Sequence, residues 1–161
     1  MSLPLAALLL TFAGPHTVDW PGVLPHATAP RIPASSAWLA QKPMGALAPS
    51  LQGRPVVVDI YASWCSACRT IAPTLRSLKQ SKAGKATFLS FDVSDAATLK
   101  ASRDQARALG LGAFLEANRS QTSLVAVIDP ATGATVQSFR ASTDAGAYAA
   151  AISKAQGMIR R

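Results

Sequence analysis

One stretch constrains this chain more than any other: Val56-Val57-Val58-Asp59-Ile60-Tyr61-Ala62-Ser63-Trp64-Cys65-Ser66-Ala67-Cys68-Arg69-Thr70-Ile71-Ala72-Pro73. Residues 56–62 are apolar and rich in β-branched side chains, interrupted only by Asp59. That pattern predicts a strand buried on both faces. After the break at residues 63–68, Ile71, Leu75 and Leu78 recur at helical spacing, which predicts a helix over 70–79. A strand running into a helix across Cys-x-x-Cys is the layout a dithiol–disulfide redox centre needs. Two cysteines three apart at a helix start share one face, so their sulfurs can bond with little backbone movement.

The two thiols are not equivalent. Cys65 falls where unpaired backbone N–H groups and the positive end of the helix dipole favour a thiolate. Cys68, one turn inside the helix, is expected to be the more buried, resolving thiol. Arg69 either helps hold the thiolate or points to solvent. Asp59 is an acid inside a buried strand, so its pKa is expected to be raised. Beneath the dithiol it would accept the proton that Cys68 must lose when it attacks a mixed disulfide.

Residues 58–73 resemble the active-site segment of the thioredoxin superfamily. The match covers the buried acid (Asp59), the Trp before the first Cys (Trp64), Cys65, Cys68, and the helix-kinking Pro73 five residues after the second Cys. The resemblance implies an α/β, thioredoxin-like fold: a central mixed β-sheet with helices on both faces. The rest of the chain is consistent with that order. Strands are expected over 86–92 and 123–129, a turn over 129–133, and a hairpin partner over 134–140. A helix is expected over 94–109, capped by Ser94 and buried through Leu99, Ala106 and Leu109. A further turn over 113–118 and a closing helix over 144–156 complete β-α-β-α-β-β-α, and the likeness spans about residues 47–156.

Two departures stand out. Thioredoxins often carry a Lys beside the buried Asp, whereas strand 86–92 offers Phe88, Leu89 and Phe91. Thioredoxin-like proteins also carry a cis-proline facing the dithiol. Here that position falls on Ser123, beside Thr122, and no proline lies between Pro73 and Pro130. A cis peptide without proline costs about 2.5–4 kcal/mol, so a trans bond is expected. The hydroxyl of Thr122 or Ser123 either hydrogen-bonds the thiolate or faces solvent. With Trp64, these two residues are the expected substrate-binding positions.

The N-terminal third is of another kind. Residues 1–13 form an apolar run too short to span a bilayer comfortably, the size of a signal-peptide core or an N-terminal anchor, although the first basic residue is Arg31. Residues 14–46 contain Pro15, Pro21, Pro25, Pro30 and Pro33 and read as an extended linker, with a short helix over 35–42. The thioredoxin-like domain is then residues 47–161. His16 and His26 lie in the linker without a cysteine or acid cluster, so neither a metal nor a cofactor is expected. The net charge of +8 is scattered and lacks interleaved aromatic residues, which argues against nucleic-acid binding. Both cysteines sit in the active-site motif, so this is not a disulfide-stapled scaffold.

Three functions compete. The first is a thiol–disulfide oxidoreductase, with protein disulfides as substrates and an upstream thiol electron donor. The second is a binding module that kept the fold, which the missing cis-proline favours. The third is a metal or iron–sulfur site, for which two thiolates supply half the ligands. Intact Cys65, Cys68, Trp64 and Asp59 favour the enzyme. The uncharged Ser66-Ala67 pair leans away from a strong oxidant and towards a reductase. The N-terminal segment makes the chain similar to membrane-tethered reductases facing the periplasm or a lumen, with an exported oxidase and a cytoplasmic reductase as the alternatives.

Overall fold

The computed structural model describes residues 44–161. The apolar run over 1–13, the linker as far as residue 43 and the helix expected over 35–42 lie outside the described residues. The elements in order are β1 (Val56–Tyr61), α1 (Ser66–Ser81), β2 (Thr87–Asp92), α2 (Ala96–Ala108), α3 (Gly112–Asn118), β3 (Leu124–Asp129), β4 (Ala134–Arg140) and α4 (Ala145–Ile159). A 3-10 turn, Pro49–Leu51, precedes β1 and buries Leu51.

The sheet order is β2-β1-β3-β4, with β1 parallel to β2 and antiparallel to β3. A parallel pair cannot be joined by a tight turn, and α1 makes the crossover. β3 and β4 form the antiparallel hairpin, with a bulge at Val127/Ile128. Strand alternation then divides the core in two. Val56, Val58 and Ile60 pack with Phe91, Ala126 and Ile128 against Ala106 of α2 and Phe114 and Leu115 of α3. Val57, Val125 and Val127 pack on the other face against Ile71 and Leu78 of α1 and Tyr148 and Ile152 of α4. The result is a mixed sheet covered by helices on both faces, as the sequence implies. By the same alternation Asp59 shares the face of Val57, under α1.

The helix starts carry one correction. α2 is capped by Asp95 and not by Ser94: the Asp95 carboxylate accepts from the N–H groups of Ala97 and Thr98, and Thr98 Oγ1 accepts from the Asp95 N–H. An aspartate at this position also favours the positive end of the helix, which leaves Ser94 free for another task. The buried side of α2 is Ser102 and Ala106, while Leu99 and Leu109 are half-buried. The turn over 113–118 is the helix α3.

Gly133 closes the hairpin at φ +68°, and a Cβ there would strike the carbonyl oxygen of Gly45. Only glycine meets both demands. Among the described residues, no helix is long and apolar enough to cross a membrane.

Candidate active site

Cys65 is the N-cap of α1, and its sulfur plays the part usually taken by a serine or aspartate oxygen. Cys65 Sγ accepts from the N–H of Cys68 at 3.1 Å, satisfying one of the backbone donors that every helix start leaves open. Cys65 is 7% exposed and Cys68, inside the first turn, 2%. Both are free thiols and form a small apolar cluster with Ala62.

Their surroundings drive the two thiols apart. Burial alone would raise the pKa of Cys65. Hydrogen bonds from the Cys68 thiol, the Thr122 hydroxyl and the N–H groups of Cys68 and Ala67 outweigh it and hold the thiol below its ordinary value. For Cys68, burial leads, and the bond it gives to Cys65 and the charges of Cys65 and Asp59 add to it, pushing the thiol up to about 11. The pair therefore has one sulfur prepared to be a thiolate and one prepared to keep its proton.

The Thr122 hydroxyl is among the groups that lower the Cys65 thiol, and Ser123 is not. Ser123 serves the backbone: its N–H donates to Ile60 O at 2.9 Å and its carbonyl accepts from Ala141 N–H at 3.2 Å. It is 4% exposed, adopts φ +65°, and follows a trans peptide. A non-glycine residue in the left-handed region costs about 1–2 kcal/mol, which these two backbone bonds help offset.

Trp64 is 63% exposed beside Cys65. It is not loose. Its Nε1 donates to Ser94 O at 3.0 Å, Ser63 N–H donates to Ser94 Oγ at 2.8 Å, and Ser94 Oγ in turn hydrogen-bonds Asp92 Oδ1. The segment after β2 therefore clamps the loop that carries the dithiol. Arg69 completes the clamp by donating to Ser63 O at 3.1 Å, and it is not among the groups acting on the Cys65 thiol.

Asp59 has its carboxyl pushed up from 3.8 to about 6, chiefly by burial, against which the Ser90 hydroxyl acts weakly through a 3.4 Å bond to Oδ2. Ser90 is its register partner on β2, and Oδ1 is buried without a partner. The carboxyl lines a cavity of about 230 Å³ together with Val57, Leu75, Phe88 and Ser90. Lys79 and Arg76 of α1 line the same cavity but are not among the causes acting on Asp59. Sequence reasoning missed Ser90 and Lys79 here, and it read Ser94 only as a helix cap. Serine has no distinctive spacing signal, and Lys79 reaches the cavity only because α1 crosses over Asp59. No cluster of three or more metal-binding side chains occurs among the described residues.

Comparisons with known proteins find thioredoxins and related proteins. Residues 48–106 match the Thioredoxin family model. Thioredoxin H-type of Chlamydomonas reinhardtii is 40% identical over 62 residues, 38% of this chain and 51% of that protein. A thiol:disulfide interchange protein TxlA homolog of Synechocystis is 42% identical over 41 residues, 26% of this chain and 23% of that one. The matched segments thus span about half the length of these relatives or less. Thioredoxin of Fasciola hepatica has a TM-score of 0.44 at 22% identity, over 65% of this chain and 84% of that one. The Cys65-Ser66-Ala67-Cys68 pair at the head of α1 lies within the segment that matches the Thioredoxin family model, and over that segment the chain is similar to thioredoxins.

Proposed function

We propose that this protein is a thiol–disulfide oxidoreductase that works as a disulfide reductase. The observation that carries the reading is the opposed tuning of two thiols within one turn, Cys65 held down and Cys68 pushed up to about 11. The Cys65 thiolate attacks one sulfur of a substrate disulfide, forms a mixed disulfide and expels the other substrate sulfur as a thiolate. Cys68 then gives its proton to Asp59 Oδ1, the acceptor left without a partner, and attacks the Cys65 sulfur. The Cys65–Cys68 disulfide forms, the second substrate thiolate leaves, and two electrons have passed to the substrate. An upstream thiol donor returns the pair to the dithiol.

Trp64, Thr122 and Ser123 frame the dithiol where a substrate chain approaches. Trp64 offers an exposed apolar surface next to the attacking sulfur, and the Thr122 hydroxyl acts on that same sulfur. The direction follows from what holds the Cys65 thiolate: hydrogen bonds alone, with no cation among its stabilising groups. Strong oxidants need a far more stabilised thiolate. The apolar run over 1–13 supports an extracytoplasmic location with that segment as leader or tether.

The reduction potential of the Cys65–Cys68 pair, read by thiol alkylation in graded redox buffers, tests this. A value at or below about −250 mV is expected. A value near about −120 mV would turn the reading to an exported oxidase, and the absence of a two-electron transition would leave a binding module. A finer test concerns Thr122. Thr122→Val removes one hydrogen bond to a charged sulfur, a contact worth roughly 1.5–3 kcal/mol, while keeping the side chain's shape. The Cys65 pKa is expected to rise, with at least a tenfold lower alkylation rate at neutral pH. An unchanged pH–rate curve would remove Thr122 from the thiolate's partners.

A further inference from the structure

A second cavity, of about 250 Å³, is lined by Gly53, Arg54, Gly84, Lys85, Gln156, Ile159 and Arg160. Three separate segments build it: the turn before β1, the turn before β2 and the end of α4. Because β1 and β2 are parallel, both turns lie at the same end of the sheet, the end opposite the dithiol. β1 has six residues, and at about 3.3 Å per residue it separates the two sites by roughly 20 Å.

The chemistry of the lining is one-sided. It includes Arg54, Lys85 and Arg160 and no carboxylate. None of the three cations has an ion-pair partner among the described residues, where the four pairs lie within α2, within the α3 region or between the two. The N–H groups of Gly53, Arg54 and Gly84 also find no acceptor among the described residues. Gly53 and Gly84 sit at φ +82° and +73° with open space where a Cβ would stand, so no side chain covers the backbone at these two lining positions. Gln156 Nε2 donates to Lys85 O at 2.7 Å and fastens α4 to the turn before β2, giving the three cations a common frame. Like charges gathered around one concavity repel one another unless an anion lies between them. Guanidinium forks and free backbone N–H groups are the donors that phosphate-type oxyanions select.

We propose that this cavity binds a phosphate-type oxyanion, either free or as the headgroup of an anionic lipid. Binding at this pole leaves Trp64 and the dithiol uncovered, so a headgroup held here would direct the reactive end away from the surface. The proposal is independent of the redox reading, and the failure of either leaves the other standing.

The full chain is titrated with inorganic phosphate by calorimetry and sedimented with vesicles of phosphatidylglycerol or of phosphatidylcholine at low and physiological salt. Two variants are compared. One replaces the lining cations (Arg54→Gln, Lys85→Gln, Arg160→Gln). The other removes the same number of charges elsewhere (Arg76→Gln, Lys79→Gln, Lys154→Gln). One-site phosphate binding that weakens at least tenfold in the first variant and less than twofold in the second is expected if the anion is free. The same contrast seen only with phosphatidylglycerol vesicles identifies the headgroup. Equal weakening in both variants reduces the effect to net charge and overturns the proposal, as does binding to neither probe. Circular dichroism confirms that both variants are folded, and the alkylation rate of Cys65 is expected to stay unchanged in the first.

Discussion

Cys65→Ser is expected to reduce disulfide turnover to the rate of the buffer thiol alone, whereas Cys68→Ser is expected to trap substrate as a stable adduct. The reason lies in the division of labour between the two sulfurs. Cys65 is the thiol held below its ordinary value, at the helix start and supported by Thr122 and two backbone N–H groups. A serine hydroxyl in its place keeps the N-cap but has no accessible anion and no two-electron chemistry with sulfur. In the proposed mechanism, loss of Cys68 removes only the second step: the mixed disulfide still forms and nothing inside the chain resolves it. Mass spectrometry after mixing with an aromatic disulfide reads the outcome directly. One covalent adduct per chain is expected for Cys68→Ser and none for Cys65→Ser. Retention of more than a tenth of wild-type turnover by Cys65→Ser would sink the assignment. The pH dependence gives an internal check on the wild type. Alkylation of Cys65 should level off at a lower pH than that of an ordinary thiol, while Cys68 stays protected until about pH 11.

Asp59→Asn is expected to stabilise the fold at pH 7.5 by about 3 kcal/mol and to slow the resolving step. The folded chain raises this carboxyl from 3.8 to about 6 through burial, a displacement worth about 3 kcal/mol. Between about pH 3.8 and 6 the folded chain holds a proton that the unfolded chain has already released. Stability therefore falls as pH rises through that window, and the full penalty stands above it. An amide at this position carries no charge to desolvate, so the variant's advantage should be complete at pH 7.5 and absent near pH 3.5. Urea unfolding at both pH values measures it. With Asp59 as the proposed acceptor of the Cys68 proton, the stabilised variant should also accumulate mixed disulfide. An equal stability gain at both pH values would show that Asp59 acts through packing and not through its charge.

The strand and helix around the dithiol were legible because their signals are short in range. A run of β-branched residues broken by one acid predicts β1, and Ile71, Leu75 and Leu78 predict α1, whatever surrounds them. The difference between Cys65 and Cys68 was legible for the same reason, since helix-end chemistry depends on residues within one turn. Where two local signals stood side by side, the reading slipped. Ser94 and Asp95 are both good caps, and the choice fell to Asp95 because Ser94 is engaged by Ser63, Trp64 and Asp92.

By itself, then, the sequence determined the element order, the place of the dithiol at the head of a helix, and the burial of an acid beneath it. These follow from periodicity and spacing. The tertiary structure alone decided which hydroxyl supports the Cys65 sulfur, which segment clamps Trp64, and which cations share a cavity with Asp59 or stand at the far pole. Each of those pairings joins residues distant in the chain. Their meeting depends on the register of β1 against β2 and β3 and on how α1 and α4 cross the sheet. A one-residue change of register would turn every side chain of a strand to its other face.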